Sequence, residues 1–319
     1  MATSRTSISG PAQTVLAAKI ARRYYIDGVS KRDIAEELGL SRFKVARTLD
    51  RARSSGLVRI ELHYDGDIDL ALSVELSSTL GVRRCLVVDS PEEDEAILRA
   101  NLGRVAAGLL EEIVESDDLL GLSWSRTLLA MRSVLREMAP CPVVQLSGVL
   151  SRPDVDESSI DLVRDVAKVA GGPAYYFYAP MIVPDADTAR SLMMQPEVAR
   201  AIAKFDELTK AIVSIGAWVP GQSTVVDAIS SDQYEEARLA GVVCEVAGMQ
   251  LDADGNQVHT PLSERVIGIE PECLRRVPEI VALAYGDEKL GAVAAAVKGG
   301  LVTTLITHGS LARALLAAG

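Results

Sequence analysis

Residues 30–53, SKRDIAEELGLSRFKVARTLDRAR, predict two short helices joined by a tight turn. Ser30 is placed to cap the first helix, because a serine hydroxyl can accept a hydrogen bond from a backbone N–H of the first turn. Gly39 is placed to end that helix, since a left-handed residue costs least when it is glycine. Ser41 is placed to cap the second helix.

Three residues of this stretch have the spacing of a helix-turn-helix. Ala35 is small enough for two helices to cross closely, Gly39 follows four positions later at the bend, and Val45 follows after six more and packs the second helix on the first. The inward side of the second helix stays open between two residues at each of two places: Phe43 or Val45, then Thr48 or Leu49.

Positive charge is concentrated around the second helix. Residues 1–63 hold 12 Lys and Arg against 6 Asp and Glu, whereas residues 64–319 hold 21 against 38, in a chain of net charge −11. A local cationic field favours contact with DNA phosphates, although a basic helix can also be an ordinary solvated face. The predicted DNA-binding residues, with base and phosphate contacts not separated, are Ser30, Lys31, Ser41, Arg42, Lys44, Arg47, Arg51 and Arg53.

The flanks extend this unit on both sides. Residues 11–27 form an amphipathic helix by pattern, with Val15, Leu16, Ile20 and Tyr24 on its buried side. Residues 57–64, LVRIELHY, alternate like a short strand after a glycine, so the helix-turn-helix is predicted to be winged. Residues 1–10 are predicted to form a polar arm.

The remainder predicts a second domain, residues 70–319, after a polar linker at residues 64–69. Short apolar runs alternate with amphipathic stretches, which indicates an α/β fold with a mostly parallel sheet and helices on both faces. Strands are predicted at 83–89, 118–123, 141–148, 174–180, 210–217, 279–286 and 301–307. Helices are predicted at 70–80, 92–115, 127–138, 160–170, 197–208, 288–298 and the C-terminus. Residues 251–255, LDADG, are predicted to form a hairpin turn.

Composition narrows the class of protein. No apolar run approaches the ~18–20 residues that span a bilayer, so no membrane partner is expected. Four scattered cysteines indicate reduced thiols in a cytoplasmic protein. Three distant histidines without ligand spacing argue against a metal site, and no cofactor is expected. Residues 121–125 approach the G-x-S-x-G motif of a catalytic serine, but the final glycine and a histidine partner are missing, so no catalytic residue is predicted.

Two strand-to-helix junctions are suited to binding an anion. In open α/β sheets, ligands sit beyond the carboxyl ends of strands, near helix N-termini. The first junction is residues 121–127, GLSWSRT, where the hydroxyls could instead only cap the helix. The second is residues 285–289, YGDEK, where Lys289 reaches an anion or is simply exposed.

The chain resembles the SorC family of bacterial sugar-responsive transcriptional regulators. The resemblance covers the helix-turn-helix and nearly all of the second domain. It is carried by GLSWSRTL (121–128), VVQLSG (143–148), YAPMIVP (178–184), IVSIGAW (212–218), GVVCEVAGMQLDADG (241–255), LSERVIGI (262–269) and VALAYGDEKLGAVAAAVKGGLVTTLIT (281–307). It implies a Rossmann-like effector domain of the sugar-phosphate-isomerase type, similar to glucosamine-phosphate deaminase. It also implies a homotetramer, a dimer of dimers, that binds palindromic double-stranded operator DNA under the control of a phosphorylated sugar.

The resemblance also implies an effector site. The residues expected in it are Ser123, Trp124, Ser125, Arg126, Thr127, Gln145, Ser147, Gly148, Glu245, Asp287 and Lys289. Four positions depart from the family pattern: Ser125 and Tyr285 stand where glycine is common, Glu245 stands where Asp is usual, and His308 stands where Asp is common. The Cβ of Ser125 is expected to crowd an approaching phosphate.

The sequence therefore predicts a transcriptional regulator, a repressor of a carbohydrate-utilisation operon, that binds a small carbohydrate effector. The alternative is a sugar-phosphate isomerase or deaminase. Such chemistry needs a carboxylate base with tuned partners. Asp227, Glu245 and Asp287 are available, but no histidine is near any of them in the sequence.

Overall fold

The structure is a computed structural model that describes residues 10–59, 67–89, 94–150 and 157–319. The chain divides into two compact units, residues 1–63 and residues 64–319. Each unit has its own apolar core.

Three helices form the described part of the first unit: α1 (Pro11–Tyr25), α2 (Lys31–Leu38) and α3 (Arg42–Ser54). The predicted caps are present. The Ser30 hydroxyl accepts from the Asp33 N–H (3.2 Å), and the Ser41 hydroxyl accepts from the Lys44 N–H (3.2 Å). Gly39 ends α2 in the left-handed conformation, with φ 62°. The core is formed by Ile20, Ala21, Ile34, Ala35, Val45 and Leu49.

The buried residues show which side chains of α3 face inward, and they correct one prediction on α1. Val45 and Leu49 are the inward residues, whereas Phe43 is 79% exposed. Val15, predicted to be buried, is 69% exposed. The physical reason is that Val15 precedes the buried Ile20 by five residues, about 140° around a helix, so the two cannot share a face.

The winged strand predicted at 57–64 falls largely on residues 60–66, which lie outside the described residues. The described part, residues 57–59, forms no strand. The predicted polar arm also lies outside them, apart from residue 10.

The second unit alternates strands with helices as predicted. Its elements are α4 (Leu70–Leu80), β1 (Arg84–Val88), α5 (Glu95–Ile113), β2 (Leu120–Leu122), α6 (Arg126–Val134), β3 (Val143–Gln145), α7 (Ser159–Ala170), β4 (Ala174–Tyr175), α8 (Ala186–Met193), α9 (Pro196–Ile202), β5 (Lys210–Ala217), α10 (Ser231–Leu239), β6 (Cys244–Val246), β7 (Met249–Leu251), α11 (Pro271–Arg275), β8 (Glu279–Leu283), α12 (Leu290–Lys298), β9 (Thr304–His308) and α13 (Gly309–Ala318).

In the described ranges, seven parallel strands form the main sheet in the order β1-β9-β8-β5-β2-β3-β4. The antiparallel hairpin β6–β7 joins the carboxyl end of β5, where Gly216 pairs with Glu245. Side chains alternate between the two faces along each strand. In β5, Ala211 and Val213 face one core and Ile212 faces the other. The prediction of a mostly parallel sheet between helical layers is confirmed.

Several predicted bounds are wrong for local reasons. The strand predicted at 174–180 ends at Tyr175, because the N–H of Phe177 donates to the side chain of Gln145 (3.1 Å) rather than to a neighbouring strand. The helix predicted at 197–208 ends at Ile202, and α8 was not predicted. The turn at 251–255 is confirmed by a hydrogen bond from the Gly255 N–H to the Asp252 carbonyl (3.0 Å).

Candidate functional site

A cleft in the second unit opens beyond the carboxyl ends of β2, β3, β5 and β8 and comprises about 860 Å³, open solvent at its mouth included. Both predicted anion junctions contribute to it, although they are more than 150 residues apart in the chain. The lining is drawn mainly from residues 123–127, 147–148, 214–216, 221–225, 245, 247, 285 and 289. The parallel sheet thus brings most of the predicted effector residues to one place.

The β2–α6 junction presents hydroxyls at the start of a helix. Ser123 is 3% exposed, and its hydroxyl has no hydrogen-bond partner among the residues that the structure describes. Ser125 caps α6 by accepting from the Leu128 N–H (3.1 Å), and it also receives the Ser214 hydroxyl (2.7 Å). The first N–H groups of a helix have no intrahelical acceptor and carry partial positive charge. This junction can therefore bind an anion, with Ser123 as an unused donor.

The residues after β3 divide into lining and support. Ser147 and Gly148 line the cleft, and a Cβ on Gly148 would lie 2.6 Å from the Pro180 carbonyl oxygen, so only glycine fits. Gln145, predicted in the site, does not line the cleft. Its amide nitrogen donates to the Ser147 carbonyl (2.7 Å) and to the Ser159 hydroxyl (3.0 Å). Gln145 therefore holds the loop in place from below.

Glu245 lies buried on the β6–β7 hairpin and lines the cleft. Burial raises the pKa of its carboxyl, although hydrogen bonds from the Gly248 N–H (3.1 Å) and the Ser223 hydroxyl (2.9 Å) act in the opposite direction. Both donors are neutral groups. Glu245 can accept further hydrogen bonds from ligand hydroxyls.

Lys289 lies buried at the β8–α12 junction. Its ammonium donates to the Ile215 carbonyl (2.8 Å) and lies 5.0 Å from the centre of the Tyr285 ring. Burial lowers the pKa of Lys289, and the nearby Glu245 carboxylate partly opposes that shift. An ammonium has three donors, and one of them is used on Ile215. The alternative of an exposed Lys289 is wrong.

Asp287, also predicted in the site, does not line the cleft. It accepts from the Ser310 hydroxyl (2.6 Å), and that hydroxyl lies 3.1 Å from Nδ1 of His308. The Gly286 N–H donates to Nε2 of the same ring (2.9 Å), so Nε2 is unprotonated and the ring proton is on Nδ1. His308 and Asp287 thus fix the glycine turn that carries Lys289.

Other residues that line the cleft were not predicted from the sequence. They are Glu95, Leu150, Met181, Ser214, Ile215, Gly216, Gly221, Gln222, Ser223, Thr224, Val225, Ala247 and Leu283. Residues 221–224, GQST, follow the carboxyl end of β5, and this polar run was the available signal. Tyr285, which departs from the family pattern, and Asp227, a carboxylate considered for the enzyme alternative, also line the cleft.

The predicted DNA-binding residues lie on the first unit. Arg42, Lys44, Arg47, Arg51 and Arg53 are exposed on α3, and Lys31 is half-buried with its ammonium 5.2 Å from the centre of the Tyr24 ring. The hydroxyls of Ser30 and Ser41 are already used as helix caps.

Features of other kinds of site are absent from the residues that the structure describes. The described part of the chain contains no cluster of three metal-ligating His, Cys, Asp or Glu residues. No helix within the described ranges is long and apolar enough to cross a bilayer. Burial raises the pKa of Cys85 to about 12 and that of Cys141 to about 11, so neither is a reactive thiol at neutral pH.

Known proteins share this architecture. Residues 66–317 match the family model described as "Putative sugar-binding domain". The erythritol catabolism regulatory protein EryD of Brucella abortus (strain 2308) is 30% identical over 94% of this chain and 96% of its own length. The sorbitol operon regulator of Klebsiella pneumoniae is 28% identical over 94% of this chain and 97% of its own length. The crystal structure of the full-length sorbitol operon regulator SorC from Klebsiella pneumoniae superposes with a TM-score of 0.73 at 24% identity, covering 95% of this chain and 98% of that one.

Proposed function

The chain belongs to the SorC family of sugar-binding transcriptional regulators, and from this premise we propose that a phosphorylated sugar in the cleft controls its hold on operator DNA. The protein is a sugar-responsive, DNA-binding regulator and not an enzyme. We also propose that the protein represses a carbohydrate-utilisation operon, forms a homotetramer built as a dimer of dimers, and is located in the cytoplasm.

In this proposal, α2 and α3 act as a winged helix-turn-helix, with α3 in the major groove. The close packing of Ala35 and Val45 and the capped ends of both helices support that assignment. The second unit acts as a sensor similar to glucosamine-phosphate deaminase. The family resemblance and the position of the cleft at the carboxyl edge of a parallel sheet support it.

The observation that carries the phosphate assignment is the unpartnered hydroxyl of Ser123. It is buried where α6 begins, in the same cleft as the buried ammonium of Lys289. A buried hydroxyl without a partner costs about 1–3 kcal/mol, and a phosphate oxygen would remove that cost. Glu245 lines the same cleft and offers acceptors for sugar hydroxyls. The donors therefore favour an anionic group and the carboxylate favours a polyol.

A ligand changes DNA affinity only if it binds one arrangement of the protein better than another. We infer that the sugar phosphate draws the two junctions of the cleft together and so changes the placement of paired reading helices in the oligomer.

The ligand half is tested with a thermal-shift panel of sugar phosphates, the same sugars without phosphate, and inorganic phosphate alone. We expect at least one sugar phosphate to stabilise the protein by about 2.7 kcal/mol at a hundredfold excess over its Kd. Ser123→Ala should abolish that stabilisation. Ser133→Ala, at an exposed serine of α6 whose hydroxyl donates to the Ala130 carbonyl of the same helix, should keep it.

Equal stabilisation by the unphosphorylated sugar would refute the phosphate assignment, and no stabilisation by any member would refute the cleft as the sensor site. Turnover of a sugar phosphate would support an isomerase or deaminase instead.

The DNA half is tested with a duplex selected from a random pool. We expect the affinity to fall steeply with salt, since phosphate contacts release counterions. Arg47→Ala should weaken binding about tenfold. Arg238→Ala, an exposed arginine of the second unit paired with Glu235, should leave it unchanged. A flat salt response would contradict the proposal.

A further inference from the structure

Phe43, the second residue of α3, exposes 79% of its surface. Single exposed apolar residues are common on proteins and usually need no explanation. The position of this one is unusual, because its sequence neighbours are the cations Arg42 and Lys44.

The helix geometry places Phe43 at the centre of the outward side of α3. The inward side is fixed by three buried residues, Val45, Leu49 and Ala52. At about 100° per residue, the direction opposite to them passes close to Phe43 and Arg47. These two residues are one turn apart, so they form a single ridge with the other exposed cations on either side.

We propose that Phe43 is a base-reading residue that recognises thymine, its ring packing against the C5-methyl group of a thymine in the major groove. This inference rests on the proposed function, in which α3 enters that groove. The first residues of a recognition helix are the ones that meet base edges. In the major groove the thymine methyl is the apolar group on offer, and apolar side chains contact it.

Charge favours DNA over an apolar protein surface as the occupant. A protein surface that covered Phe43 would also have to bury or desolvate Arg42, Lys44 and Arg47, and unpaired buried charge is costly. Backbone phosphates on both sides of the groove neutralise those same cations. The ring and its surrounding cations therefore fit one partner, a DNA duplex with a thymine in each half-site.

The experiment replaces each thymine of the selected duplex, one at a time, by deoxyuridine. This change removes only the C5-methyl group. For the full-length protein we expect one or two positions per half-site at which binding weakens about three- to fivefold, the fold-change for one buried methyl. Phe43→Ala should bind the thymine and deoxyuridine duplexes equally at those positions.

Two variants serve as controls. Phe43→Leu keeps an apolar side chain and should keep the sensitivity to deoxyuridine. Val15→Ala removes a side chain that is 69% exposed on α1 and should leave the thymine preference as it is in the unchanged protein. Because Phe43 lies outside the core of the first unit, its variants should fold.

Tight binding that ignores every deoxyuridine substitution would overturn the inference and leave the proposed function standing. A Phe43→Ala protein that still distinguishes thymine from deoxyuridine would overturn it too. So would a Phe43→Ala oligomer that dissociates in light scattering when no variant distinguishes the two bases, because Phe43 would then contact another subunit. If no duplex is selected at all, the proposed function and this inference both fail.

Discussion

Buried ionisable residues at the two ends of the parallel sheet differ in their hydrogen-bond partners. At the amino end, Asp118 is buried. Its carboxylate accepts hydrogen bonds from the Lys210 ammonium (2.6 Å), the Thr209 hydroxyl (2.7 Å) and the Glu115 N–H (2.7 Å). Burial by itself would raise the pKa of Asp118, but these hydrogen bonds outweigh it and hold the pKa below its usual range. Glu279, which lies beside Lys210 on the neighbouring strand β8, forms an ion pair with Arg83 (2.5 Å).

At the carboxyl end, burial is the dominant influence. It raises the pKa of Glu245 and lowers the pKa of Lys289. Within the described part of the chain, the direct hydrogen-bond partners of these two groups are a hydroxyl, an amide and a carbonyl rather than a charged group. The amino end thus uses charge pairs to stabilise the fold, whereas burial at the carboxyl end disfavours the charged forms of Glu245 and Lys289, which a ligand of suitable charge could offset.

The largest effect is expected from Lys210→Met. The change leaves a buried carboxylate without its cation, so the free energy of unfolding should fall by about 3 kcal/mol, measured by denaturant unfolding at neutral pH. Lys298→Met is the matched control, because its pair with Asp254 is exposed, and it should change stability by less than about 0.5 kcal/mol. A loss as small as the control's would remove the distinction between the two ends.

The same variant has a pH signature. The folded-state pKa of Asp118 is depressed, so its contribution is present above the unfolded value of about 3.9 and is lost as the pH falls through the folded value. The stability gap between Lys210→Met and the unchanged protein should therefore narrow below about pH 4. A gap that stays constant to lower pH would assign the loss to packing instead.

Lys289→Met should have a smaller effect of opposite sign. Removing a buried ammonium should raise the stability of the unliganded protein by about 1 kcal/mol, while any stabilisation by a sugar phosphate disappears. Lys298→Met again serves as the control and should retain the ligand response. Destabilisation comparable to that of Lys210→Met would mean that Lys289 and Glu245 form a structural ion pair, and the comparison would break.

The pH dependence of that gain follows from the lowered pKa of Lys289. Between the folded value and the unfolded value of about 10.4, the unfolded state binds more protons, so the unchanged protein gains stability as the pH rises. The advantage of Lys289→Met should shrink over the same interval.

The smallest effect is expected from Ser123→Ala without ligand. The change removes a buried hydroxyl without a partner, a gain that the small void left behind partly offsets, so the free energy of unfolding should rise slightly, by less than about 1 kcal/mol. A loss in calorimetry would show that the hydroxyl is used within the fold.

The sequence predicted the fold where apolar pattern alone determines the structure. The strand at 210–217 has its predicted bounds, because a run of apolar residues is buried on both faces of a parallel sheet. The convergence of Ser123 and Lys289 was also predictable, since the carboxyl ends of parallel strands share one edge.

The remaining differences depend on three-dimensional packing. Gln145 is polar like the other expected site residues, but α7 supplies Ser159 beneath it and the side chain is used internally. Ser223 lies in a loop without periodicity, so only the hairpin that carries Glu245 gives it a role. The choice between Phe43 and Val45 required the position of α1, whose Ile20 completes the core.

The hydrogen bonds at Gly286 have a mechanical consequence. His308 and Ser310, which hold that turn, end β9 and begin α13. α13 packs against α4, the first helix after the residues that connect the two units. Any displacement of the Gly286 turn toward a bound ligand would therefore shift α13 against α4. The movement at the cleft would thus be transmitted to the first helix of the second unit.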